Sequence, residues 1–279
     1  MANTNSTLRS PAANVLIYIW LAIATVFIIF PVVYAVIGSF RVTADIQGGI
    51  SSLFFGDTVV ENYPRAWEQS SIGTQLKNSI IVTVLQTAGS FLTSVFAAYA
   101  LVFGNVRHAG KILVFFLVPM MIPAEVSVIG NYLTVREMGL YDTVTAIFLP
   151  YLASSFTLFL FYQAFKSFPK EVWEAVRLEG VGPMRFLFTF LLPLNRSVSM
   201  TAIVIAAIGA WNGYMWPLLI TETAASRTIQ PGIKALADET SVDSGLILAG
   251  LILAVIPTVI LVIVGQKYLT KGLTEGAVK

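Results

Sequence analysis

The sequence predicts an all-α protein that crosses a membrane six times. Of its 279 residues, 56% are hydrophobic and 11% are charged, whereas a soluble domain carries about 25% charged residues. The apolar residues form long continuous runs, and a helix of about 20 apolar residues spans a bilayer. A β-barrel would instead show segments of about ten residues with alternating polarity. Composition and hydropathy therefore indicate a polytopic helical membrane protein.

Six stretches are long and apolar enough to be transmembrane helices. They cover residues 15–38, 78–103, 112–132, 144–165, 198–220 and 245–266. The connections between them contain no low-complexity linker and no soluble domain, so we expect a single membrane domain over residues 1–279. The longest connections follow the first and the fifth span, and the first of these contains a predicted interfacial helix at 60–69.

Basic residues are distributed unevenly between the two sides of this membrane domain. Six spans place both termini on one side, which carries 11 basic and 4 acidic residues, a net charge of +7. The other side carries 6 basic and 11 acidic residues, a net charge of −5, and the two values sum to the formal +2 of the chain. Because cytoplasmic loops are enriched in lysine and arginine, both termini and the segment 168–193 are predicted to be cytoplasmic.

The segment 168–193 combines dense charge, two internal glycines and a proline near each end. Pro169 suits the first turn of a helix. Glu171 and Glu174 suit the N-terminal part of that helix, where the macrodipole favours negative charge. Gly180 predicts the end of the helix, since glycine adopts the left-handed conformation without cost, and a second short helix follows. Taken alone, this element is also typical of an amphipathic helix on a membrane surface.

The pattern Glu174-Ala175-Val176, then Gly180, then Leu192-Pro193 resembles the cytoplasmic signature of ABC-importer permeases. The usual form of that signature is E-A-A, three residues, glycine, nine residues and I-x-L-P. Val176 replaces the second alanine and Phe190 replaces the isoleucine, and the spacing is intact. In that family the helix docks in a groove of an ATPase subunit, so we refer to residues 168–193 as the coupling segment. The residues implied in coupling are Glu171, Glu174, Ala175, Val176, Glu179 and Gly180.

The C-terminal sequence Gly272-Leu-Thr-Glu-Gly276-Ala-Val-Lys279 resembles the tail of the second permease in carbohydrate importers of the maltose type. In that family the tail reaches the ATPase interface, which the resemblance implies for Gly272, Gly276 and Lys279. Residues 211–219 also resemble the fifth span of that family. The resemblance therefore extends over essentially the whole chain.

The sequence contains no phosphate-binding loop of the form G-x-x-x-x-G-K-[ST]. We therefore expect a transport subunit without an ATPase site of its own, and not an enzyme. The resemblance implies that two partner ATPase subunits bind ATP and Mg, that a second, different permease completes the pathway, and that an extracytoplasmic solute-binding protein delivers the solute. Neither a cofactor nor a metal is expected in this chain, which has no cysteine and one histidine, and no nucleic-acid partner is expected. The implied location is the bacterial or archaeal inner membrane.

Polar residues within the spans are candidates for the solute pathway, because they are expensive in lipid and usually functional. Glu125 lies in a third span interrupted by Pro119, Pro123 and Gly130, and broken backbone at membrane depth normally lines a cavity. Three roles are open for Glu125. It binds solute hydroxyls, pairs with a basic residue of the partner permease, or lies in water near the outer end of the span.

The fifth span combines aromatic residues with an amide, as sugar sites commonly do. Asn212 lies between Trp211 and Tyr214, although it also suits a cap at a helix break before Pro217 or a bond to a neighbouring helix. The complete set of pathway candidates is Glu125, Asn131, Trp211, Asn212, Tyr214 and Trp216. The small hydroxyl residues of the second span, by contrast, have a spacing typical of helix packing.

The sequence therefore predicts the second permease subunit of an ABC importer for a sugar or a sugar derivative. The stretches around Glu125 and Trp216 look most like the glycerol-phosphate branch of the family, and neutral oligosaccharides are about equally compatible. An ion-coupled secondary transporter is the main alternative class, and it would show a repeated hydropathy pattern and a midplane ion site. A membrane-embedded enzyme would show clustered acids or histidines at the membrane surface. Neither pattern is clear here.

Overall fold

The computed structural model describes residues 11–239 and 243–274, of which residues 11–13, 69, 124, 125, 239 and 269–274 are described by their backbone alone. Over these ranges the chain is helical and has no β-strand, which confirms the predicted fold class. The α-helices, in chain order, are α1 (Pro11–Gly38), α2 (Thr43–Gln47), α3 (Ile50–Phe55), α4 (Asn62–Gln69), α5 (Ile72–Phe103), α6 (Ala109–Leu117), α7 (Ala124–Glu137), α8 (Val144–Phe148), α9 (Ser155–Lys166), α10 (Lys170–Leu178), α11 (Pro183–Phe186), α12 (Leu192–Leu194), α13 (Arg196–Trp211), α14 (Met215–Ile220), α15 (Ile229–Glu239) and α16 (Ser244–Thr274). Short 3₁₀ turns follow α6 and α8, and a π-helical turn, Leu187–Leu191, separates α11 from α12.

Within the described ranges, four segments are long and apolar enough to cross a membrane by themselves. These are Asn14–Gly38, Ile72–Phe103, Val144–Lys166 and Ser244–Tyr268, and they match the first, second, fourth and sixth predicted spans. The number rises to six when each of two bent helix pairs is counted as one span. The second span begins at Ile72 rather than at 78, because Gln75 and Asn78 near its start are buried within the protein.

The third predicted span is bent through 101° between Ala109–Met121 and Val126–Glu137. The helix breaks at Ile122 and Pro123, where the backbone is extended. The predicted interruption by prolines is therefore confirmed. The predicted interruption at Gly130 is wrong, since this glycine lies inside α7, where a single glycine weakens a helix without ending it.

The fifth predicted span, 198–220, is divided into α13 and α14 by a non-helical break at 212–214. The second bent pair joins Pro183–Leu194 to α13 at an angle of 84°. The coupling segment thus runs into the fifth span through a sharp bend. Three further helices, α2, α3 and α15, fill connections for which the sequence predicted no structure.

Contacts divide the chain into two compact units. Of the described residues, one unit comprises those up to Gln69 and those between Ala237 and Ile252, and the other comprises Ser70–Leu236 and those from Leu253 onward. The single domain expected from the sequence stays a prediction.

Arg41 organises the connection that follows α1 in the first unit. Its Nε donates a hydrogen bond to the Leu53 carbonyl over 2.7 Å, and its Nη2 donates to the Phe54 carbonyl over 3.0 Å. These carbonyls lie at the end of α3, where a cation offsets the negative end of the helix dipole. Asn62 in turn donates to the carbonyls of Ser39 and Arg41, over 3.0 and 2.9 Å. The connection is therefore a folded element.

In the second unit, side chains of α5 donate hydrogen bonds to the backbone where the fourth span is broken. Between α8 and α9, Thr93 Oγ1 donates to the Leu152 carbonyl over 2.8 Å, and Ser94 Oγ donates to the Ser154 carbonyl over 3.3 Å. A Cβ atom added to Gly89 would meet the Leu152 side chain, which would have to shift, so glycine favours this close approach. Carbonyls freed at membrane depth must find partners inside the protein. The packing role predicted for these residues is confirmed.

The first turns of α5 hold the connection between α14 and α15. Asn78 Nδ2 donates to the carbonyls of Ala225 and Arg227, over 2.8 and 3.0 Å. Ser79 Oγ accepts a hydrogen bond from the Ile229 amide over 2.8 Å. Two polar residues at the start of the predicted second span therefore fix a neighbouring loop.

Asp142 ties the connection after α7 to the same loop. Its carboxylate accepts hydrogen bonds from the amides of Glu222 and Thr223, over 2.8 and 3.0 Å, and from the hydroxyls of Thr223 and Ser226. The Asp142 amide also donates to the Ile220 carbonyl over 2.9 Å. Burial raises the pKa of this carboxyl, but the hydrogen bonds outweigh burial and lower the pKa from 3.8 to about 2. Asp142 is therefore an ionised clasp between two connections.

Replacing Asp142 with asparagine is expected to destabilise the protein by about 1–3 kcal/mol, since a charged acceptor of several hydrogen bonds is lost. The depressed pKa means that the charged side chain stabilises the wild type above the unfolded value of 3.8. The advantage of the wild type over D142N should therefore disappear as the pH falls towards about 2. Thermal unfolding in detergent as a function of pH measures both effects.

The exposed Asp57 lies outside this clasp and provides a matched control. D57N should unfold like the wild type at every pH. Equal unfolding temperatures for D142N and D57N near neutral pH would show that Asp142 is not a clasp.

Candidate functional site

The coupling segment is built around α10, which begins after Pro169 and ends before Gly180. The Gly180 amide donates to the Arg177 carbonyl over 3.1 Å, and the Val181 amide donates to the Val176 carbonyl over 3.3 Å. This pair of bonds is a Schellman motif, which requires a left-handed residue at the glycine position. Gly180 has φ of +74°. The predicted helix end at Gly180 is confirmed.

One face of α10 packs onto an aromatic cluster formed by Phe103, Phe168, Trp173 and Phe186. The Trp173 ring lies 4.5 Å from the Phe186 ring and 5.1 Å from the Phe103 ring, between centroids. Val176, three residues after Trp173 and so on the same face, is 7% exposed. Phe103 is the last residue of α5, so α10 rests directly on the end of that long helix.

The other face of α10 is open to solvent. Glu171, Glu174 and Ala175 are exposed, as are Glu179 and Gly180 after the helix. Leu178 is 90% exposed, although it is a large apolar residue. Of the residues predicted to dock an ATPase, Val176 alone is turned into the chain.

Leu178 is the feature that sequence reasoning missed. It lies one turn from Ala175, on the side of α10 away from Trp173. The available signal was an apolar residue with no place on the buried stripe of Trp173 and Val176. The coupling role of each of these residues stays a prediction.

The second half of the coupling segment is buried where it meets this support. Phe186, Leu187 and Leu191 are fully buried in the core that also contains the aromatic cluster. The π-helical turn Leu187–Leu191 carries the chain from α11 to α12, which contains Pro193 and ends at Leu194.

Two tryptophans among the pathway candidates are held inside this chain. Trp211 is 4% exposed, and its Nε1 donates to the Ala254 carbonyl over 3.2 Å. Trp216 is 5% exposed, and its Nε1 donates to the carbonyls of Ala146 and Ile147, over 3.2 and 3.1 Å. Both side chains brace α13 and α14 against neighbouring segments. Their contact with a solute stays a prediction.

Asn212 lies at the break between α13 and α14, and both ends of its amide have partners. Its Nδ2 donates to the Ile208 carbonyl over 3.0 Å, and its Oδ1 accepts from the Thr258 hydroxyl over 3.2 Å. Asn212 thus caps the helix break and bonds a neighbouring helix, which is the alternative left open by the sequence. Tyr214 is exposed and Asn131 is half-buried, so both are more accessible than the tryptophans.

The remaining predicted residues are described by their backbone alone or not at all. The side chain of Glu125 is outside the described part of the structure, and its three open roles stay predictions. Gly272 is described only as backbone of α16, while Gly276 and Lys279 fall beyond the described residues.

Comparison with known proteins places this geometry in a family. Residues 89–275 match the family described as binding-protein-dependent transport system inner membrane component. The permease protein UgpE of the sn-glycerol-3-phosphate transport system of Agrobacterium fabrum is 33% identical over 95% of this chain and 97% of its own length. The lactose transport system permease protein LacG of Rhizobium radiobacter is 30% identical over 98% of this chain and 99% of its own length.

A solved structure has the same fold. It is a bacterial ABC transporter involved in import of the acidic polysaccharide alginate, and a chain of it superposes with a TM-score of 0.82 and 23% identity. The match covers 92% of this chain and 96% of the other. The all-α fold and the resemblance to ABC-importer permeases are thereby confirmed. This chain belongs to the family of inner-membrane components of binding-protein-dependent transport systems.

Proposed function

We propose that this chain is a permease subunit of an ATP-driven importer, forms half of a solute pathway and takes its driving force through the coupling segment. Support for import comes from the family and from relatives named for sn-glycerol-3-phosphate and lactose transport. The cargo is a sugar or a sugar derivative, and a phosphorylated polyol is the second candidate. The observation that carries the proposal is the exposed α10 mounted on the end of α5.

The coupling segment has the form that force transmission requires. Its exposed face, with Ala175 and Leu178, offers a small residue and an apolar knob to a partner groove. Its inner face, with Trp173 and Val176, packs on the aromatic cluster at the end of α5. Because packed interiors are close to incompressible, displacement of α10 moves α5 rather than being absorbed locally.

The proposal includes the partners that the family resemblance implies. Two ATPase subunits bind ATP and Mg, and closure of their dimer displaces α10. A second permease completes the pathway, and an extracytoplasmic solute-binding protein delivers the solute. The excess of basic residues on the side of the coupling segment supports a cytoplasmic location for it and for both termini, in the inner membrane of a bacterium or archaeon.

Substituting Gly180 with valine should uncouple ATP hydrolysis from transport. A β-branched residue at φ +74° is strained by about 1–2 kcal/mol or more, so the end of α10 must shift in its groove. ATP-dependent uptake by the reconstituted importer should fall about tenfold or more while insertion into the membrane is unchanged. A175E should act similarly, because the carboxylate side chain prevents close approach.

Gly182 is the matched control for this prediction. It has φ of −66°, which a valine adopts readily, and within the described residues, apart from its two chain neighbours, no atom lies within 4 Å of an added Cβ. G182V should transport normally. Coupled transport at the wild-type rate in both G180V and A175E would contradict the proposed role of the segment.

Leu178 should act as an apolar anchor for the ATPase. Substitution with glutamate places a charge in the docking groove, and we expect the affinity for the ATPase subunit to fall by about tenfold or more. Co-purification and titration of ATPase onto the permease in detergent measure this change. Val60, another exposed apolar residue, lies in the connection predicted to be on the opposite side of the membrane, so V60E should bind ATPase normally. Unchanged ATPase affinity in L178E would remove Leu178 from the interface.

A further inference from the structure

Arg136 is held between two tyrosine rings at the end of α7. Its guanidinium carbon lies 5.8 Å from the centroid of the Tyr132 ring and 5.5 Å from that of the Tyr141 ring. Its Nη1 donates to the Tyr132 hydroxyl over 3.0 Å. The two rings meet edge to face, 6.1 Å apart at 83°. The guanidinium is thus fixed in the corner between two aromatic faces, although Arg136 is exposed.

Local backbone geometry accounts for this corner. Tyr132 and Arg136 are four residues apart and lie on one face of α7. Gly139, with φ of +70°, turns the chain back after α7, with the Gly139 amide donating to the Arg136 carbonyl over 3.0 Å. The turn brings Tyr141 over the guanidinium. Asp142 then clasps the following residues to the connection after α14.

The neighbouring carboxylates bond groups other than the Arg136 guanidinium, or point away from it. Asp142 accepts several hydrogen bonds from Glu222, Thr223 and Ser226. Glu222 accepts from the Tyr141 hydroxyl over 3.4 Å. Glu137 follows Arg136 directly on the helix and so does not face it. Among the side chains that the structure describes, no carboxylate oxygen lies within 4.0 Å of the Arg136 guanidinium.

Two other arginines that the charge pattern assigns to the same predicted side of the membrane have partners within the protein. Arg41 bonds the carbonyls at the end of α3, and Arg65 pairs with Asp243 over 2.6 Å. The residues predicted to lie on that side sum to a net charge of −5. A held guanidinium without an acidic partner is therefore not part of a general basic surface.

We propose that Arg136, Tyr132 and Tyr141 bind the phosphate or carboxylate group of a solute at the outer end of the third span. A guanidinium offers paired N–H donors that match both anions. The two tyrosine rings hold the guanidinium in position for such a group. This inference rests on the proposed function and names an anionic polyol as the class of solute.

A lipid headgroup carries the same phosphate chemistry, and tyrosine and arginine are also common at membrane interfaces. The test must therefore distinguish a free solute from a headgroup. The chain contains no cysteine, so a single cysteine beside the site reports its occupancy. Met138 is suitable, because it is exposed and directly follows the last residue of α7.

The experiment measures the rate at which a neutral maleimide labels M138C in the assembled importer, in phosphatidylcholine nanodiscs. We expect sn-glycerol 3-phosphate to slow labelling and glycerol to have no effect. R136Q should raise about tenfold the concentration of sn-glycerol 3-phosphate needed for half-maximal protection, the effect expected for the loss of one charge-assisted hydrogen bond. R136K should retain part of the protection. The same measurement with Y132F and Y141F, which keep the rings, should show protection close to that of the parent protein.

The outcomes separate the possibilities. Protection that depends on Arg136 and on added sn-glycerol 3-phosphate supports the solute site. Slow labelling without that solute, seen only when phosphatidylglycerol is added to the nanodiscs and lost in R136Q, assigns the anion site to a lipid headgroup. Equal protection in R136Q and its parent, or no protection in either lipid, overturns the site. Basal ATP hydrolysis of each variant shows whether the importer is still assembled.

ATP-dependent uptake by the parent protein tests the proposed function separately. If the parent protein shows Arg136-dependent protection but no ATP-dependent uptake, the proposed importer function is wrong and the anion site is retained. Uptake of lactose and sn-glycerol 3-phosphate reduced equally by R136Q would show a positioning role without anion recognition, and would count against the site.

Discussion

Satisfaction of backbone groups freed by helix breaks is the constraint on which the rest of the second unit depends. The fourth and fifth spans are both interrupted, and a lipid environment supplies no donor for the exposed carbonyls. Thr93 and Ser94 of α5 donate to the break between α8 and α9, while Trp216 donates to the carbonyls of Ala146 and Ile147. The helix breaks are possible because side chains of neighbouring helices donate hydrogen bonds to the carbonyls that the breaks leave free.

Helix α5 also connects the two ends of that unit. Its 32 residues correspond to a rod of about 48 Å, and no proline interrupts it. At one end, Asn78 and Ser79 hold the connection after α14. At the other end, Phe103 supports Trp173 of the coupling segment. A single stiff element therefore reaches from the surface proposed for ATPase docking to the loop that Asp142 clasps on the opposite side.

Much of this architecture was accessible from the sequence. Hydropathy located the spans, and the turn chemistry of Gly180 located the end of α10. Hydrophobic periodicity did not predict which side chains of the short helix α10 face the protein and which face solvent. Val176 and Leu178 are both apolar, and their roles differ because the aromatic cluster lies beneath one of them. The rings of Trp211 and Trp216 likewise resembled a sugar platform, although their N–H groups are used to brace helix breaks.

The polar connections were the hardest to predict, because their order depends on residues distant in sequence. Asp142 and Thr223 are far apart along the chain, and no local pattern pairs them. In the sequence Arg136 is only one basic residue among those that set the predicted topology, and the turn at Gly139 gives it two aromatic neighbours. Long-range contacts of this kind leave no periodic signal in a single sequence.

The π-helical turn Leu187–Leu191 has a consequence for how the coupling segment can vary between related chains. A π turn holds one more residue than an α turn, so it acts as a local store of chain length within a continuous helix. Loss of one residue there, with conversion to α geometry, removes the bulge instead of severing the helix. The side chains after the bulge then keep their direction around the helix axis. A deletion within a regular α-helix, by contrast, rotates every later residue about that axis by about 100°. Lineages could therefore lengthen or shorten this connection while the faces of α10 and α13 stay aligned.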